Sequence, residues 1–155
     1  MTSNWPAIIV LRLHIFSYVV GTLSMLLAFF CAVLIAVQDY CLKQKVVGCW
    51  IRRWPSLQAL DLWLLRFMLI GFPLLTLGLV LGLVLAHFGW SRRWSTEPKV
   101  FFGLLAWLWY ALLLQTRLVF GWRGRRLAIL NMICFAIVIL AWLSVYHMVH
   151  RGWMA

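Results

Sequence analysis

Four long apolar runs, separated by short segments that carry most of the charge, constrain this chain more than any other feature. A run of about 17–25 apolar residues crosses a bilayer as a helix. No water meets the backbone inside lipid, so each spanning segment must satisfy its own N–H and C=O groups, and a helix does this. The runs extend from about residue 8 to 37, 62 to 88, 99 to 119 and 127 to 149. The expected fold is all-α: one polytopic membrane domain over residues 1–155, with four transmembrane helices. A basic connector, residues 39–61, follows the first run, and a Trp-containing loop, residues 89–98, follows the second.

Composition agrees. With 66% apolar residues and three acids, the chain leaves no room for a globular domain beside the membrane part. The net charge of +11 does not argue for nucleic acid as a partner. Its basic residues flank apolar runs, where they set topology and meet lipid headgroups, so membrane lipid is the first partner expected. No cleavable signal peptide is expected, because the residues before the first run include no basic n-region. Cys31, Cys41, Cys49 and Cys134 form no C-x-x-C pair, which leaves covalent c-type haem attachment to this chain unsupported. Cys31 and Cys134 lie inside apolar runs and read as packing residues.

Local patterns add detail. His14, Ser17 and Gly21 share a helical face that is smaller and more polar than the rest of the first run, suited to facing other helices or a cavity. Ser56 is placed to cap a lead-in whose Leu57, Leu60 and Leu64 would lie at the membrane interface. Gly78 and Gly82 form a small-x-x-x-small pair that admits a neighbouring backbone. Pro73 would free a carbonyl that Thr76 is placed to satisfy. Glycines permit a tight turn at Gly121–Arg126, whose arginines would meet anionic lipid.

Basic residues orient the helices. Lys43, Lys45, Arg52, Arg53, Arg117, Arg123, Arg125 and Arg126 share one side; Arg12, Arg92, Arg93, Lys99 and Arg151 share the other. The richer side is expected in the cytoplasm, which turns both termini and the Trp loop outward. In that loop Trp90 and Trp94 stand beside Arg92, Arg93 and Glu97. Such rings beside fixed charges make a platform for a flat, partly anionic ligand such as a porphyrin. Tryptophans also mark membrane–water interfaces generally, and composition alone does not separate the two readings.

The order of residues is more specific than composition. It runs Gly71-Phe72-Pro73-Leu74-Leu75-Thr76-Leu77-Gly78, then Trp90-x-x-x-Trp94-x-x-Glu97-Pro98-Lys99, then Trp107-Leu108-x-Tyr110, Arg117 and Gly121-Trp122-Arg123-Gly124-Arg125-Arg126. An earlier helix start reads Leu13-His14-Ile15-Phe16-Ser17-Tyr18. Together these resemble the C-terminal half of the cytochrome c assembly family, the CcsA/CcmC-type haem-handling membrane proteins with their YpjD-type branch. The resemblance covers residues from about 10 to 150. It implies a Trp-rich external loop that holds haem, with histidines of flanking helices ligating the iron. Carried over, Trp90, Trp94, Pro98 and Lys99 match the loop, and His14 matches the histidine of the helix before it, as a ligand to haem iron. His147 and His150 are approximate counterparts of the family's last histidine, and His87 borders the loop. Glu97, Thr96 and Val100 depart from the loop pattern, and Gln115 stands where the family has a histidine. A glutamine amide is a poor axial ligand, which argues against a haem site within the bilayer. The chain is also short for the family, which leaves three readings open: a separate small subunit, a pairing with a partner that supplies further helices, or a truncated reading frame.

The resemblance implies a membrane component of cytochrome c assembly, in a bacterial inner (plasma) membrane, that binds or presents haem at the external face and works with other assembly subunits. It implies no enzyme activity of its own. The alternative is a membrane scaffold that has kept the family's helices without haem. A b-type electron-transfer anchor would need histidines at mid-span, whereas these lie near the ends of the runs. A transporter finds no mid-span carboxylate, and a hydrolase finds no catalytic constellation.

Overall fold

The computed structural model describes residues 5–45, 54–89 and 98–150, with side chains for 8–45, 54–85, 101, 103–140 and 143. Four helices account for nearly all of these: α1 (Trp5–Lys43), α2 (Leu57–Gly89), α3 (Pro98–Val119) and α4 (Arg125–His150). Two of them, over Ile8–Lys43 and Leu57–Leu85, are long and apolar enough to cross a membrane. Gly103–Val119 is a shorter apolar stretch. The outer surface carries large apolar side chains such as Phe16, Phe30 and Leu112.

The antiparallel pair α1–α2 is the tightest part. Built-out methyl positions on Gly21 and Gly71 would lie 3.0 Å from Leu75 and Met25 respectively. One on Gly78 would lie 3.3 Å from the Tyr18 backbone nitrogen. Glycine at these positions lets the two backbones approach, as the small-residue pattern of the sequence suggests. Ser17 and Ser24 are buried in the seam, and the Ser24 hydroxyl donates to the Phe67 carbonyl at 2.9 Å. At the far end Gln38 Nε2 donates to the Pro55 carbonyl at 2.9 Å. Ser56 caps α2 by accepting from the Ala59 N–H at 3.2 Å.

Two local expectations change. Leu57, Leu60 and Leu64 are not a separate lead-in at the interface: α2 begins at Leu57, and Leu60 and Leu64 are fully buried in the core. Burial in the shared core removes more of their surface from water than an interfacial position would. Thr76 does not reach the Leu69 carbonyl that Pro73 leaves without a helical partner. Its hydroxyl donates to the Phe72 carbonyl at 2.8 Å and accepts from Trp107 Nε1 at 2.8 Å. The Phe72 and Trp107 rings stack beside this bond, with centroids 5.7 Å apart. Trp107 is therefore a packing residue that ties α3 to α2.

The shared core gathers Met25, Ala28, Cys31, Ala32 and Ile35 of α1, Leu60, Leu64 and Met68 of α2, Tyr110 and Leu113 of α3, and Leu127, Ala128 and Cys134 of α4. Cys31 and Cys134 are free thiols packed there. Phe29 stacks on Phe135 at 4.6 Å and joins α1 to α4.

Candidate functional site

His14 lies on the buried face of α1, three residues before Ser17 and seven before Gly21. Its imidazole rests in the groove that Gly78 and Gly82 open along α2. Nδ1 lies 2.7 Å from the Gly78 carbonyl oxygen. That oxygen only accepts, so Nδ1 carries the proton, and in the neutral ring the lone pair sits on Nε2. A methyl group on Gly82 would stand 2.8 Å from His14 Cε1, closer than atoms pack, and 3.3 Å from Nδ1. Tyr18, one turn further along α1, stacks on the imidazole with centroids 6.3 Å apart.

Helix register shows what shares this level. Asp39 pairs with Arg125 and Phe29 stacks on Phe135, so ten residues back along α1 correspond to ten forward along α4. Continued at the same rise, the register sets His14 level with His150, in the last turn of α4. In the same way α2 runs antiparallel to α3, through Asp61 with Arg117 and Thr76 with Trp107. Gly82 thus falls level with the first turn of α3, which opens at Pro98. The start of α1, the end of α2, the start of α3 and the end of α4 form one end of the bundle. His147 and His150 belong to α4 and His87 to α2 by backbone, while their side chains lie outside the described residues. Trp90 and Trp94 lie outside the described residues altogether.

A second polar cluster closes the opposite end. Arg117 Nη2 donates to Asp61 Oδ2 at 2.6 Å, and Arg117 Nη1 donates to the Trp122 carbonyl at 2.8 Å. Asp61 Oδ1 accepts from the Gly124 N–H at 2.9 Å. The two side chains are only 4% and 13% exposed. Asp39 is shared between Lys43 at 3.0 Å and Arg125 at 3.3 Å. Gly121 and Gly124 adopt left-handed φ of 63° and 64°, which lets the chain leave α3 and enter α4 within five residues. The Gly-Trp-Arg-Gly-Arg-Arg motif is thus a folded turn fastened by Asp61 and Arg117. In the sequence Arg117 counts as a topology charge and as one residue of the family pattern, and neither role points to Asp61. The signal that could have found the pair is Asp61 itself, a carboxylate with Leu57, Leu60 and Leu64 around it, which needs a partner when buried.

Haem iron asks for a neutral imidazole nitrogen held at a fixed angle. Metal-ligating histidines commonly donate their other ring N–H to a carbonyl or carboxylate, and His14 has that arrangement toward Gly78. The described residues therefore fit one axial ligand. Gln115, by contrast, is exposed on α3 and offers only an amide. Among the described residues no group of three or more His, Cys, Asp or Glu side chains is placed to hold a bare metal ion.

A bundle of apolar helices with a histidine docked at one end and a fastened basic turn at the other describes a helical membrane protein. The family model described as Cytochrome C assembly protein matches residues 7–150, and the chain belongs to that family. Among curated relatives it is 39% identical over 94 residues to "Cytochrome c biogenesis protein CcsA" of Marchantia polymorpha, covering 61% of this chain and 29% of the relative. The protein of the same name from Mesostigma viride is 46% identical over 76 residues, covering 49% and 25%. That from Prochlorococcus marinus (strain MIT 9312) is 44% identical over 88 residues, covering 57% and 28%. The chain thus matches less than a third of the length of these relatives. No solved structure matches it.

Proposed function

We propose that this chain is a non-catalytic membrane component of cytochrome c assembly that binds or presents haem at the external face. One observation carries the reading: His14 Nδ1 is engaged by the Gly78 carbonyl, which leaves Nε2 as the free donor at the bundle end from which the Trp loop departs. In this reading His14 is an axial ligand, His147 or His150 supplies the second from the end of α4, and Trp90 and Trp94 flank the porphyrin. Haem when bound supplies the redox-active iron. The chain's own residues orient an imidazole and offer aromatic faces. All four helices cross the bilayer, with the Gly121–Arg126 turn in the cytoplasm and the Trp loop outside. The site would lie in a bacterial inner membrane, facing other assembly subunits or a helper that supplies further helices.

The test is an absorption spectrum of the protein purified in detergent from haem-replete cells, wild type beside His14→Ala. A Soret band in the wild type that is lost or shifted in the variant supports the reading. Folded wild-type protein with no band, haem being available, overturns it for the isolated chain. A second reading, a haem-free scaffold, is favoured by Gln115, whose amide replaces the family's histidine and is exposed on α3. It predicts a stable complex with assembly partners and no Soret band.

A further inference from the structure

The α1–α2 seam contains more than close packing, because two of its glycines act on the same imidazole by different means. Gly78 contributes a carbonyl oxygen 2.7 Å from His14 Nδ1. Gly82, one turn further along α2, contributes the space in which the ring lies: its missing methyl would meet His14 Cε1 at 2.8 Å, Nδ1 at 3.3 Å and Nε2 at 3.7 Å. The atom it would strike first belongs to the end of a side chain and not to a backbone. An alanine at 82 would therefore displace the ring and leave the helices where they are. Gly78 differs in kind, since its added methyl would press on the Tyr18 backbone nitrogen at 3.3 Å and Cα at 3.4 Å. That substitution asks the α1 backbone itself to give by a few tenths of an ångström.

We propose that Gly78 and Gly82 are positioning residues for His14, forming a cradle that fixes the Nδ1–H tautomer and holds Nε2 at one orientation as a ligand donor. The cradle's purpose rests on the reading of His14 as a haem ligand; its geometry does not. Physical chemistry favours such a device at this position. A free histidine on a helix samples several rotamers and both tautomers, and a donor nitrogen that must first be selected binds correspondingly more weakly. A hydrogen bond from the opposite ring nitrogen removes that selection and raises the basicity of the ligand. Supplying the acceptor from a helix backbone makes it invariant to side-chain motion. It also requires that the helix carry no side chain there, which is the condition Gly82 meets.

The experiment uses the full chain in detergent with 15N-labelled histidine, free of haem, and reads the tautomer of each ring from long-range proton–nitrogen correlations. His14→Asn assigns the signal. The expected result is a single Nδ1–H tautomer for His14, with Nε2 showing the shift of an unprotonated nitrogen. In Gly82→Ala the signal should change to a mixture of tautomers, while Gly103→Ala, whose methyl meets nothing within 4 Å, leaves it unchanged. In the haem-loaded protein Gly82→Ala should lower affinity by about 10–100-fold, the usual effect of removing a ligand's outer partner. An Nε2–H or averaged tautomer in the wild type overturns the proposal, even if Gly82→Ala does not fold. So does an unchanged His14 signal in folded Gly82→Ala. The two readings fail separately. The expected tautomer without any haem band leaves the cradle standing and removes the haem function. A haem band that depends on His14 but ignores Gly82→Ala leaves the function and removes the cradle.

Discussion

Arg117 and Asp61 stand 56 residues apart in the chain and meet at 2.6 Å across the end of the bundle opposite His14. The pair does three things at once. It joins α2 to α3, it holds the Trp122 carbonyl through the second guanidinium nitrogen, and it satisfies the Gly124 N–H ahead of α4. Three of the four helices are thereby referred to one carboxylate.

Breaking that pair should be costly in a recognisable way. Asp61→Ala leaves a buried guanidinium without its counter-charge and the Gly124 N–H without an acceptor. The expected loss is about 3–5 kcal/mol, since an unpaired buried charge is worse than no charge. Replacing both partners, as Asp61→Leu with Arg117→Met, should recover much of the loss. A double-mutant cycle on thermal unfolding in detergent measures this. Additive single losses would show that the two residues act separately.

The interhelical bond from Trp107 to Thr76 is a weaker fastening. Trp107→Phe removes the donor at 2.8 Å but keeps a ring to stack on Phe72. Interhelical hydrogen bonds in membranes contribute about 0.6 kcal/mol, because the separated helices find other partners. Trp107→Ala also loses the ring, and large-to-small aromatic changes in cores cost about 3–5 kcal/mol. Unfolding in denaturing detergent should therefore separate the two variants clearly. Equal losses would mean that the bond, and not the stack, carries α3.

How much of this was legible in the sequence depends on distance along the chain. Apolar runs mark the helices because membrane and core burial both demand them, and the small face of His14, Ser17 and Gly21 is the face that packs on α2. Gly78 and Gly82 were visible as a close-packing pair. What they pack against was not, since nothing local links position 82 to position 14. Asp61 and Arg117 were equally hidden: each has an ordinary local role, as a connector acid and a topology charge, and only the tertiary fold makes them one unit. Thr76 shows the smaller version, where a correct expectation that its hydroxyl would bond a carbonyl named the wrong one.

Orientation is open to direct test. The Lys/Arg distribution predicts that Lys45, exposed just past α1, faces the cytoplasm and that the Trp loop faces outward. In a background with the four native cysteines replaced, Ser95→Cys should react with a membrane-impermeant maleimide in intact cells. Lys45→Cys should react only after the membrane is opened. The reverse pattern would place the loop inside and remove the external haem reading with it.

Glycine offers the sharpest contrast in sign. Gly103 lies within α3 with nothing within 4 Å of a built-out methyl, and its φ is not in the left-handed region. Gly103→Ala should stabilise the chain by about 0.5–1 kcal/mol, through a smaller loss of backbone entropy on folding. Gly121 has the same open surroundings but a φ of 63°. Gly121→Ala meets no neighbour, so its effect is purely conformational, a loss of about 1–2 kcal/mol from forcing an L-residue into the left-handed region. The same methyl group in equally empty space should thus move the unfolding midpoint in opposite directions. If both variants moved it the same way, either the left-handed turn at Gly121 or the helical state of Gly103 would be wrong. Circular dichroism of the two proteins, read beside their unfolding midpoints, would say which.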